Sequence, residues 1–512
     1  MKKNEKKPVG NAILRLVLVG IAFLFQVGWL LLLILTLNEH SAWISLLSSV
    51  LALVVVLRLY SKHTTAAMKM PWILLIATFP VMGLSLYLMF VLLGDPGVGK
   101  RLRAIHQKVA AELPGDNQRA LTELDKVDRS KANQFRYVAS QSGWAVYQGT
   151  RVTYYPEAAL ALDAMKEALE QAESFIFMEY FIVADESSFR ELREILVRKA
   201  KAGVEVRLMY DDIGSVGYVN MRFAQGLNAE GIHCQVFNPA LPVLNLFLNH
   251  RDHRKITVID GKVGFTGGYN LADEYFDREK PYGKWKDTGL KLEGEAVQSL
   301  TAQFLELWNL QTRGGQQEAD YLAIREPVPA EGFVQPFTDN PLDSERVAEN
   351  VYINLANRAQ RMLWFITPYL IISDEMSLSL TLAAKRGVDV RIITPGVPDK
   401  KTVYAVTRSY YAGLATQGVR IFEYSPGFCH AKMCLCDGEI ATVGTSNLDY
   451  RSLYHHFENN VLFSDCQAVR DVAADFESLF PQCLEVTEKY CSGRNRMLRI
   501  WQCILRLFAP LM

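Results

Sequence analysis

One short pattern of chemically active residues occurs twice in the chain: a histidine, a lysine two residues later, and an aspartate five residues after the lysine. A phosphodiester needs a nucleophile, an acid for the departing alkoxide, and positive charge beside its free oxygens. Histidine has the pKa for either of the first two tasks, and lysine supplies the third. The pattern therefore indicates displacement at phosphorus. Its residues are His253, Lys255 and Asp260 in the first copy and His430, Lys432 and Asp437 in the second.

Each copy is followed, at the same offset, by a turn that begins with glycine and ends with asparagine. These turns are residues 267–270 (Gly-Gly-Tyr-Asn) and 444–447 (Gly-Thr-Ser-Asn). Two triplets with matching tails indicate a duplicated unit. Within each triplet the histidine and lysine share one face of a strand, while the aspartate projects to the other face. We expect the histidines and lysines to line one pocket and the aspartates to anchor the motif loop or a neighbouring backbone.

These motifs resemble the signature of the phospholipase D superfamily over roughly residues 136–490, and two further segments are similar to those of bacterial cardiolipin synthases. The segments are residues 285–288 (Trp-Lys-Asp-Thr) and 447–452 (Asn-Leu-Asp-Tyr-Arg-Ser). Lys286 stands where that family has arginine, and lysine lacks the planar fork of arginine. The resemblance implies an α/β fold: two repeated phospholipase-D-like sandwich halves with pseudo-twofold symmetry, preceded by an α-helical membrane region.

The resemblance also implies a reaction. One phosphatidylglycerol gives its phosphatidyl group to another, glycerol leaves, and a covalent phosphatidyl-histidine intermediate forms on the way. Family tendency makes His253 the nucleophile and His430 the acid and then the base, although the reversed assignment stays open. Hydrolysis by a phospholipase D type phosphodiesterase is the alternative function, and phosphatidylethanolamine stays open as the donor. No cofactor or metal is required.

Further residues are expected to bind the lipid phosphate or to orient a histidine. The two turn asparagines should hold phosphate oxygens. Glu458 lies at about the family's position for an acidic partner of a histidine, and a surface glutamate is the competing interpretation. The expected substrate-binding residues are Asn270, Asn447, Gly267, Gly268, Gly444 and Glu458.

Composition argues for a lipid enzyme rather than a nuclease. The chain has 512 residues, half of them hydrophobic, and a formal net charge of zero. A nucleic-acid-binding protein normally carries a basic excess, so no nucleic-acid partner is expected. The expected partners are phosphatidylglycerol and cardiolipin in the bilayer, approached through local basic clusters such as residues 251–255, and the homo-oligomeric state is left open.

Three uncharged runs near the start, residues 16–35, 41–57 and 71–94, each approach the length of a membrane span. They predict a membrane-embedded helical region over residues 1–97, followed by a basic linker over 98–135. Basic flanking residues favour a multi-pass protein of the bacterial cell membrane with its catalytic region on the cytoplasmic face. That orientation needs the third run to kink at Pro80 and re-enter. Three straight spans with an extracytoplasmic enzyme are the alternative.

The rest of the chain repeats one order of elements. Apolar strands at residues 175–181 and 362–366 are each followed by a helical stretch and then by a Gly-Val turn that leads into a second strand. We therefore place the first half at residues 136–325 and the second at 326–490. Residues 491–512 alternate arginine with apolar residues, which predicts a basic amphipathic C-terminal helix on the membrane surface or an ordinary core-packing helix.

Overall fold

The computed structural model describes residues 42–62, 64–92, 96–113, 117–239, 249–312, 318–322, 328–343 and 345–492, together with a few isolated positions. The predicted first apolar run and most of the predicted C-terminal helix lie outside these residues. The helices described before the first sheet are α1 Ala42–Ser61, α2 Ala66–Thr78, α3 Pro80–Leu92, α4 Pro96–Glu112, α5 Asn117–Val127 and α6 Arg129–Ser142.

The third apolar run folds as a tight helical hairpin. The helix stops at Phe79, directly before Pro80, and the chain reverses into α3. Trp72 and Tyr87 consequently meet with ring centroids 5.4 Å apart, whereas fifteen residues of straight helix would separate them by about 22 Å. The kink expected at Pro80 is therefore present. Among the described residues, no helix combines the length and the apolar character that crossing a bilayer requires.

Residues 98–135 differ from the predicted basic linker. They lie mainly in α4, α5 and α6, and the apolar side chains of Leu102, Val109 and Leu124 are buried in the core. Helix α4 packs along a helix of the first half. The exposed basic residues of these helices share them with a buried apolar stripe, which is amphipathic packing rather than the pattern of a free spacer.

The first half is a mixed sheet with helices on its faces. Strand order in the sheet is β1-β8-β7-β6-β2-β3-β4, with β2, β3 and β4 parallel and the remaining neighbours antiparallel. The elements are β1 Thr150–Tyr155, α7 Ala158–Glu170, β2 Phe175–Tyr180, α8 Ser187–Lys201, β3 Glu205–Asp211, α9 Asp212–Ser215, α10 Phe223–Ala229, β4 His233–Phe237, β5 Arg251–Asp252, β6 Lys255–Ile259, β7 Val263–Gly267, β8 Gly289–Gly294, α11 Val297–Thr312 and α12 Glu318–Leu322.

The second half repeats this plan. Its sheet runs β18-β13-β12-β10-β14-β15-β17, and β9 pairs with β17, so β10, β12 and β14 take the places of β2, β3 and β6. The elements are β9 Phe333–Asp339, α13 Val347–Arg358, β10 Met362–Ile366, β11 Leu370–Ile371, α14 Asp374–Lys385, β12 Asp389–Pro395, α15 Lys401–Ala415, β13 Arg420–Tyr424, β14 Met433–Cys436, β15 Ile440–Gly444, β16 Leu448–Asp449, α16 Tyr450–His455, β17 His456–Ser464, α17 Gln467–Leu479, β18 Cys483–Glu485 and α18 Thr487–Cys491.

The halves join at the strands that carry the motifs. Strand β5 of the first half pairs in parallel with β17 of the second, with His456 opposite Arg251. Asn459 of β17 accepts a hydrogen bond from the Lys255 backbone at 3.1 Å and donates one to Thr266 at 2.8 Å. The expected two-half α/β architecture is therefore present, and its join lies beside both motif histidines.

Candidate active site

The backbone of each motif histidine is held by the opposite half. The His253 amide donates to the Phe457 carbonyl at 2.9 Å, and the His430 amide donates to the Lys286 carbonyl at 2.7 Å. Both segments lead into buried central strands, β6 and β14. The two imidazoles are therefore fixed relative to each other by main-chain contacts across the join.

Both histidines line one cavity of about 520 Å³. His253 and His430 are each more than nine-tenths buried. Charge on His430 is one of the causes that lower the pKa of His253, after burial and Lys255. Other lining residues are Asn270 and Asn447 from the two turns, with Arg251, Tyr275, Trp285 and His456.

Each histidine is paired with a buried carboxylate from the other half. Glu458 of the second half lies with both carboxylate oxygens 2.9 Å from Nδ1 of His253. Asp287 of the first half lies 2.7 Å from Nδ1 of His430. Glu458 also accepts hydrogen bonds from Thr445 and from Ser452. Because each carboxylate occupies Nδ1, the Nε2 atom is the ring nitrogen left to meet a substrate.

The two imidazoles differ in their electrostatic surroundings. Burial, followed by the charge of Lys255, lowers the pKa of His253 well below its usual value. Burial and Lys432 lower the pKa of His430 to about 4, but Asp287 opposes this shift. The pKa of Asp287 is lowered by His430 and its other donors despite the opposing effect of burial. His430 therefore has an ionised carboxylate that can stabilise a proton on its ring.

The motif lysines place two cations beside the histidines. The Lys255 ammonium donates to the His253 carbonyl at 2.6 Å, and Lys432 lies 2.8 Å from Nδ1 of His430. Burial is the main cause that lowers the pKa of Lys255 to about 7 and that of Lys432 to about 8. A phosphate bound between them would favour the charged form of both side chains.

The motif aspartates anchor backbone and do not line the cavity. Asp260 accepts hydrogen bonds from the amides of residues 173–175 at 2.7–2.8 Å. Asp437 accepts from the amides of residues 360–362 in the same way. Both adopt left-handed backbone conformations, with φ of 52° and 55°. These contacts agree with the expected anchoring role, while a catalytic role for the two aspartates stays an untested prediction.

The turn glycines also differ from the prediction, since none of them lines the cavity. A Cβ atom on Gly268 would lie 2.1 Å from Oδ1 of Asp287. A Cβ atom on Gly444 would lie 2.5 Å from the Asn459 carbonyl, and one on Gly267 would lie 2.3 Å from the Thr288 carbonyl. These glycines therefore allow close backbone approach, and Gly268 makes room for the carboxylate that holds His430.

The turn asparagines line the cavity wall. Oδ1 of Asn270 accepts a hydrogen bond from the Ile182 amide at 3.1 Å, and the side chain also hydrogen-bonds Tyr275. The buried Asn447 side chain hydrogen-bonds Asp449, while its Oδ1 has no partner among the described residues. Asn447 therefore offers an acceptor at the cavity wall, and phosphate binding by the two asparagines stays a prediction.

The basic cluster at residues 251–255 is not a free cationic surface. Arg251 forms a buried ion pair with Asp211, with 2.7 Å between a guanidinium nitrogen and Oδ1. Arg254 is buried against Glu179 at 2.6 Å. The prediction that residues 251–255 attract lipid was wrong, because carboxylates from strands distant in sequence neutralise Arg251 and Arg254.

Within the described part of the chain, one group has the spacing of a metal site: His253, His456 and Glu458, whose ligand atoms lie within 4.8 Å of one another. Glu458 already accepts three hydrogen bonds, and two lysines stand nearby. The pKa of Glu458 is raised by burial, which disfavours a free carboxylate for a cation. These surroundings suit an anion in the cavity better than a dication.

Comparison with known families adds to this geometry. The model described as "Cardiolipin synthase, PLD-like domain" matches residues 165–308 and 352–480, the two halves in turn. The chain belongs to this phospholipase D-like cardiolipin synthase family. A second model, "Phospholipase_D-nuclease N-terminal", matches residues 48–91. The resemblance seen in the motifs is thereby confirmed.

Related proteins cover nearly the whole chain. An uncharacterized protein of Streptococcus mutans is 40% identical over 89% of this chain and 99% of its own length. A cardiolipin synthase of Halalkalibacterium halodurans is 32% identical over 90% of this chain and 91% of its own. Phosphatidylserine synthase of Haemophilus influenzae shares the fold, with a TM-score of 0.56 at 14% identity over 75% of this chain and 98% of that one.

Two residues of the site were missed from the sequence. Asp287 lies in the family-like segment 285–288, but only Lys286 was weighed there, and an acidic residue at that place was the available signal. His456 belongs to neither motif, yet it lines the cavity with its ring 5.5 Å from that of His253. Its position two residues before Glu458 on a strand places it on the same face.

Proposed function

We propose that the protein is a cardiolipin synthase that transfers a phosphatidyl group from one phosphatidylglycerol to another through a phosphatidyl-histidine intermediate. The observation that carries the proposal is the single cavity lined by His253 and His430, with a lysine beside each. Two imidazoles on one cavity, each with a lysine beside it, match the requirements of a double displacement at phosphorus. Membership of the cardiolipin synthase family supports the phosphatidyltransferase activity.

In the first step, Nε2 of His253 attacks the phosphorus of the donor lipid. The bond between phosphorus and the glycerol oxygen breaks, and His430 gives its proton to that oxygen. Lys255 and Lys432 stabilise the charge that grows on the free oxygens, aided by the amide groups of Asn270 and Asn447. Glycerol leaves, and the phosphatidyl group stays on His253.

In the second step, the acceptor lipid supplies a hydroxyl group. His430, now neutral, removes the hydroxyl proton while the oxygen attacks phosphorus, and the bond from phosphorus to His253 breaks. Cardiolipin results and both histidines return to their starting states. Water in place of the acceptor would give phosphatidic acid, the product of the alternative phosphodiesterase.

The carboxylate pairing supports this division of roles. Burial and Lys255 lower the pKa of His253 and so favour the neutral ring that a nucleophile needs. His430 has the ionised Asp287, which favours the protonated ring needed in an acid. Glu458 and Asp287 act as positioning residues, because each contacts its histidine and neither lines the cavity.

We further propose attachment to the bacterial cell membrane through residues 1–97, with the two catalytic halves at 136–325 and 326–490 on the cytoplasmic face. Helix α1 supports this, because it exposes a large apolar surface: Leu47 is 70% and Leu53 59% exposed. The hairpin of α2 and α3 would return the chain to the side from which it entered. A membrane-impermeant maleimide tests the orientation with a Lys100→Cys variant in a Cys491→Ser background: labelling from outside intact cells would contradict it.

The activity is tested with purified full-length enzyme and labelled phosphatidylglycerol as the sole lipid. We expect labelled cardiolipin and an equal amount of free glycerol. Phosphatidic acid as the main product would instead support the phosphodiesterase. Double substitution of His253 and His430 by alanine provides the blank.

A further inference from the structure

The catalytic cavity has two chemically different ends. Near His253 lie the Phe181 ring at 5.0 Å and the His456 ring at 5.5 Å, both between centroids. Near His430 the wall is aromatic and acidic. Its Tyr275 and Trp285 rings lie 5.2 and 5.5 Å from the imidazole, and the Phe428 ring lies 6.0 Å from it. Glu274, next to Tyr275 in the chain, also lines the cavity, as do Tyr218, Tyr369 and Asp399.

The acidic groups of this end retain hydrogen-bonding capacity. Oε1 of Glu274 accepts a long hydrogen bond from Tyr218 at 3.3 Å, and its second oxygen has no hydrogen bond within the described residues. Both oxygens of Asp399 are engaged, by the Tyr369 hydroxyl at 2.6 Å and by the Lys400 amide at 2.7 Å. Glu274 is therefore the carboxylate with the capacity to accept from a ligand.

Trp285 adds an independent sign that a polar ligand belongs here. Its side chain lines the cavity and is only 8% exposed, yet Nε1 has no hydrogen-bond partner in the described part of the chain. Buried donors are normally satisfied by protein, water or ligand, because leaving one unpaired is costly. An acceptor oxygen in the cavity would satisfy this donor.

The in-line geometry of the reaction indicates which part of the lipid lies at the His430 end of the cavity. In-line displacement places the leaving oxygen, and later the entering one, opposite the nucleophile. With His253 as nucleophile, the alcohol part of each lipid therefore lies at His430, between the aromatic rings and Glu274. Lys400 and Arg451, which also line the cavity, offer cations for the phosphate that the acceptor lipid carries.

We propose that the His430 end of the cavity recognises the two neighbouring hydroxyl groups of a glycerol headgroup, with Glu274 accepting a hydrogen bond from the hydroxyl next to the reacting one. This inference rests on the proposed function. A carboxylate is an acceptor only, so it matches a hydroxyl and repels anionic headgroup atoms, while the aromatic rings cover the carbon chain.

A competition between two small acceptors tests the inference. The full-length enzyme receives phosphatidylglycerol with equal concentrations of pentadeuterated glycerol and 1,3-propanediol, which lacks the middle hydroxyl. Mass spectrometry gives the ratio of deuterated phosphatidylglycerol to phosphatidylpropanediol, a ratio that does not depend on how much enzyme is folded. We expect wild type to prefer glycerol and Glu274→Gln to lower the ratio about tenfold, because a charged hydrogen bond becomes a neutral one.

Two further variants complete the test. Glu279→Gln removes the same charge from an exposed position on the same loop, outside the cavity, and should leave the ratio unchanged. His456→Asn alters the opposite end and should also leave it unchanged. An unchanged ratio in Glu274→Gln overturns the inference, as does a loss of selectivity in His456→Asn alone, which would place the alcohol at His253. If wild type makes cardiolipin but shows no preference, only this inference fails; if it makes only phosphatidic acid, the proposed function fails with it.

Discussion

Asp287 and His430 come from different halves of the molecule and meet with 2.7 Å between Oδ2 and Nδ1. The reciprocal pair, Glu458 and His253, meets at 2.9 Å. Each half thus supplies the histidine of one pair and the carboxylate of the other. The duplicated halves therefore depend on each other, because neither half supplies the carboxylate that contacts its own motif histidine.

Replacing either carboxyl group by an amide should slow catalysis more than binding. Asp287→Asn and Glu458→Gln keep the size of the side chain. The new amide, which can donate as well as accept, no longer fixes the histidine ring in the form in which Nδ1 is the donor. We expect kcat to fall about 10²- to 10⁴-fold with KM within about threefold, by analogy with other oriented histidines. Steady-state kinetics of cardiolipin formation checks this. If the fall in kcat is accompanied by a large fall in the melting temperature, the carboxyl group has a merely structural role.

The covalent intermediate should be trappable in one variant only. In His430→Ala, His253 can still attack a lipid with a good leaving group such as phosphatidyl-p-nitrophenol, but no base activates the acceptor. We expect a phosphatidyl adduct on His253 by mass spectrometry of the denatured enzyme, and none in His253→Ala. An adduct on His430 in His253→Ala would exchange the two roles, and full activity in either variant would reject the mechanism.

Activity should fall on the alkaline side at an unusually low pH. Burial lowers the pKa of Lys255 to about 7 and that of Lys432 to about 8, so their positive charge is lost as pH rises through this window. We expect kcat/KM to decline there, and kcat to decline at higher pH because bound phosphate favours the charged lysines. Lys432→Arg keeps its charge and should move the decline upward. The assignment of the decline to the lysines would be contradicted if the pH profiles of kcat and kcat/KM coincided and if Lys432→Arg had the same profiles as wild type.

Lys286 should matter for stability. Its ammonium lies 2.7 Å from Asp475 of α17, both side chains are buried, and Tyr154 also donates to that carboxylate at 2.5 Å. Lys286→Met leaves the Asp475 charge without its cation, which should lower the free energy of unfolding by about 3–5 kcal/mol. Chemical denaturation in detergent measures this. Adding Asp475→Leu should restore much of the loss; a further decrease would argue against the ion pair as the cause.

Asp260 should contribute to folding rather than chemistry. Asp260→Ala removes the acceptor of the three amides at residues 173–175 and should cost about 3 kcal/mol. Asp260→Asn should cost less, because asparagine tolerates the left-handed backbone and keeps one oxygen acceptor. Thermal unfolding of the two variants provides the comparison. A loss of kcat in the asparagine variant at unchanged stability would instead assign the aspartate to the chemistry.

Local spacing predicted a large part of this site. The period of two along a strand places His253 and Lys255 together and sends Asp260 away, and the repeat predicts two similar sheets. The family-like segments predicted the phosphatidyltransferase class, which the comparisons confirm. These features depend on neighbours in sequence or on matching motifs.

What could not be predicted depends on contacts between distant residues. Asp287 and His430 are 143 positions apart, and their pairing requires the two sheets to meet at one angle. The sequence placed Gly268 among the substrate-binding residues, but in the structure the absence of a side chain at Gly268 leaves room for the Asp287 carboxylate. Arg251 was expected in an exposed basic cluster, since its ion-pair partner Asp211 lies forty residues upstream and is not recognisable from the local sequence. Pattern and composition carry no direct signal for such pairings.

The parallel pairing of β5 with β17 has a consequence for biosynthesis. Strand β5, directly before His253, pairs with β17, and β17 also carries Glu458. These residues leave the ribosome late. A nascent or truncated chain that ends before β17 therefore has both motif histidines but lacks the partner strand of β5 and the carboxylate that contacts His253. His253 gains that carboxylate only when almost the whole polypeptide has been synthesised.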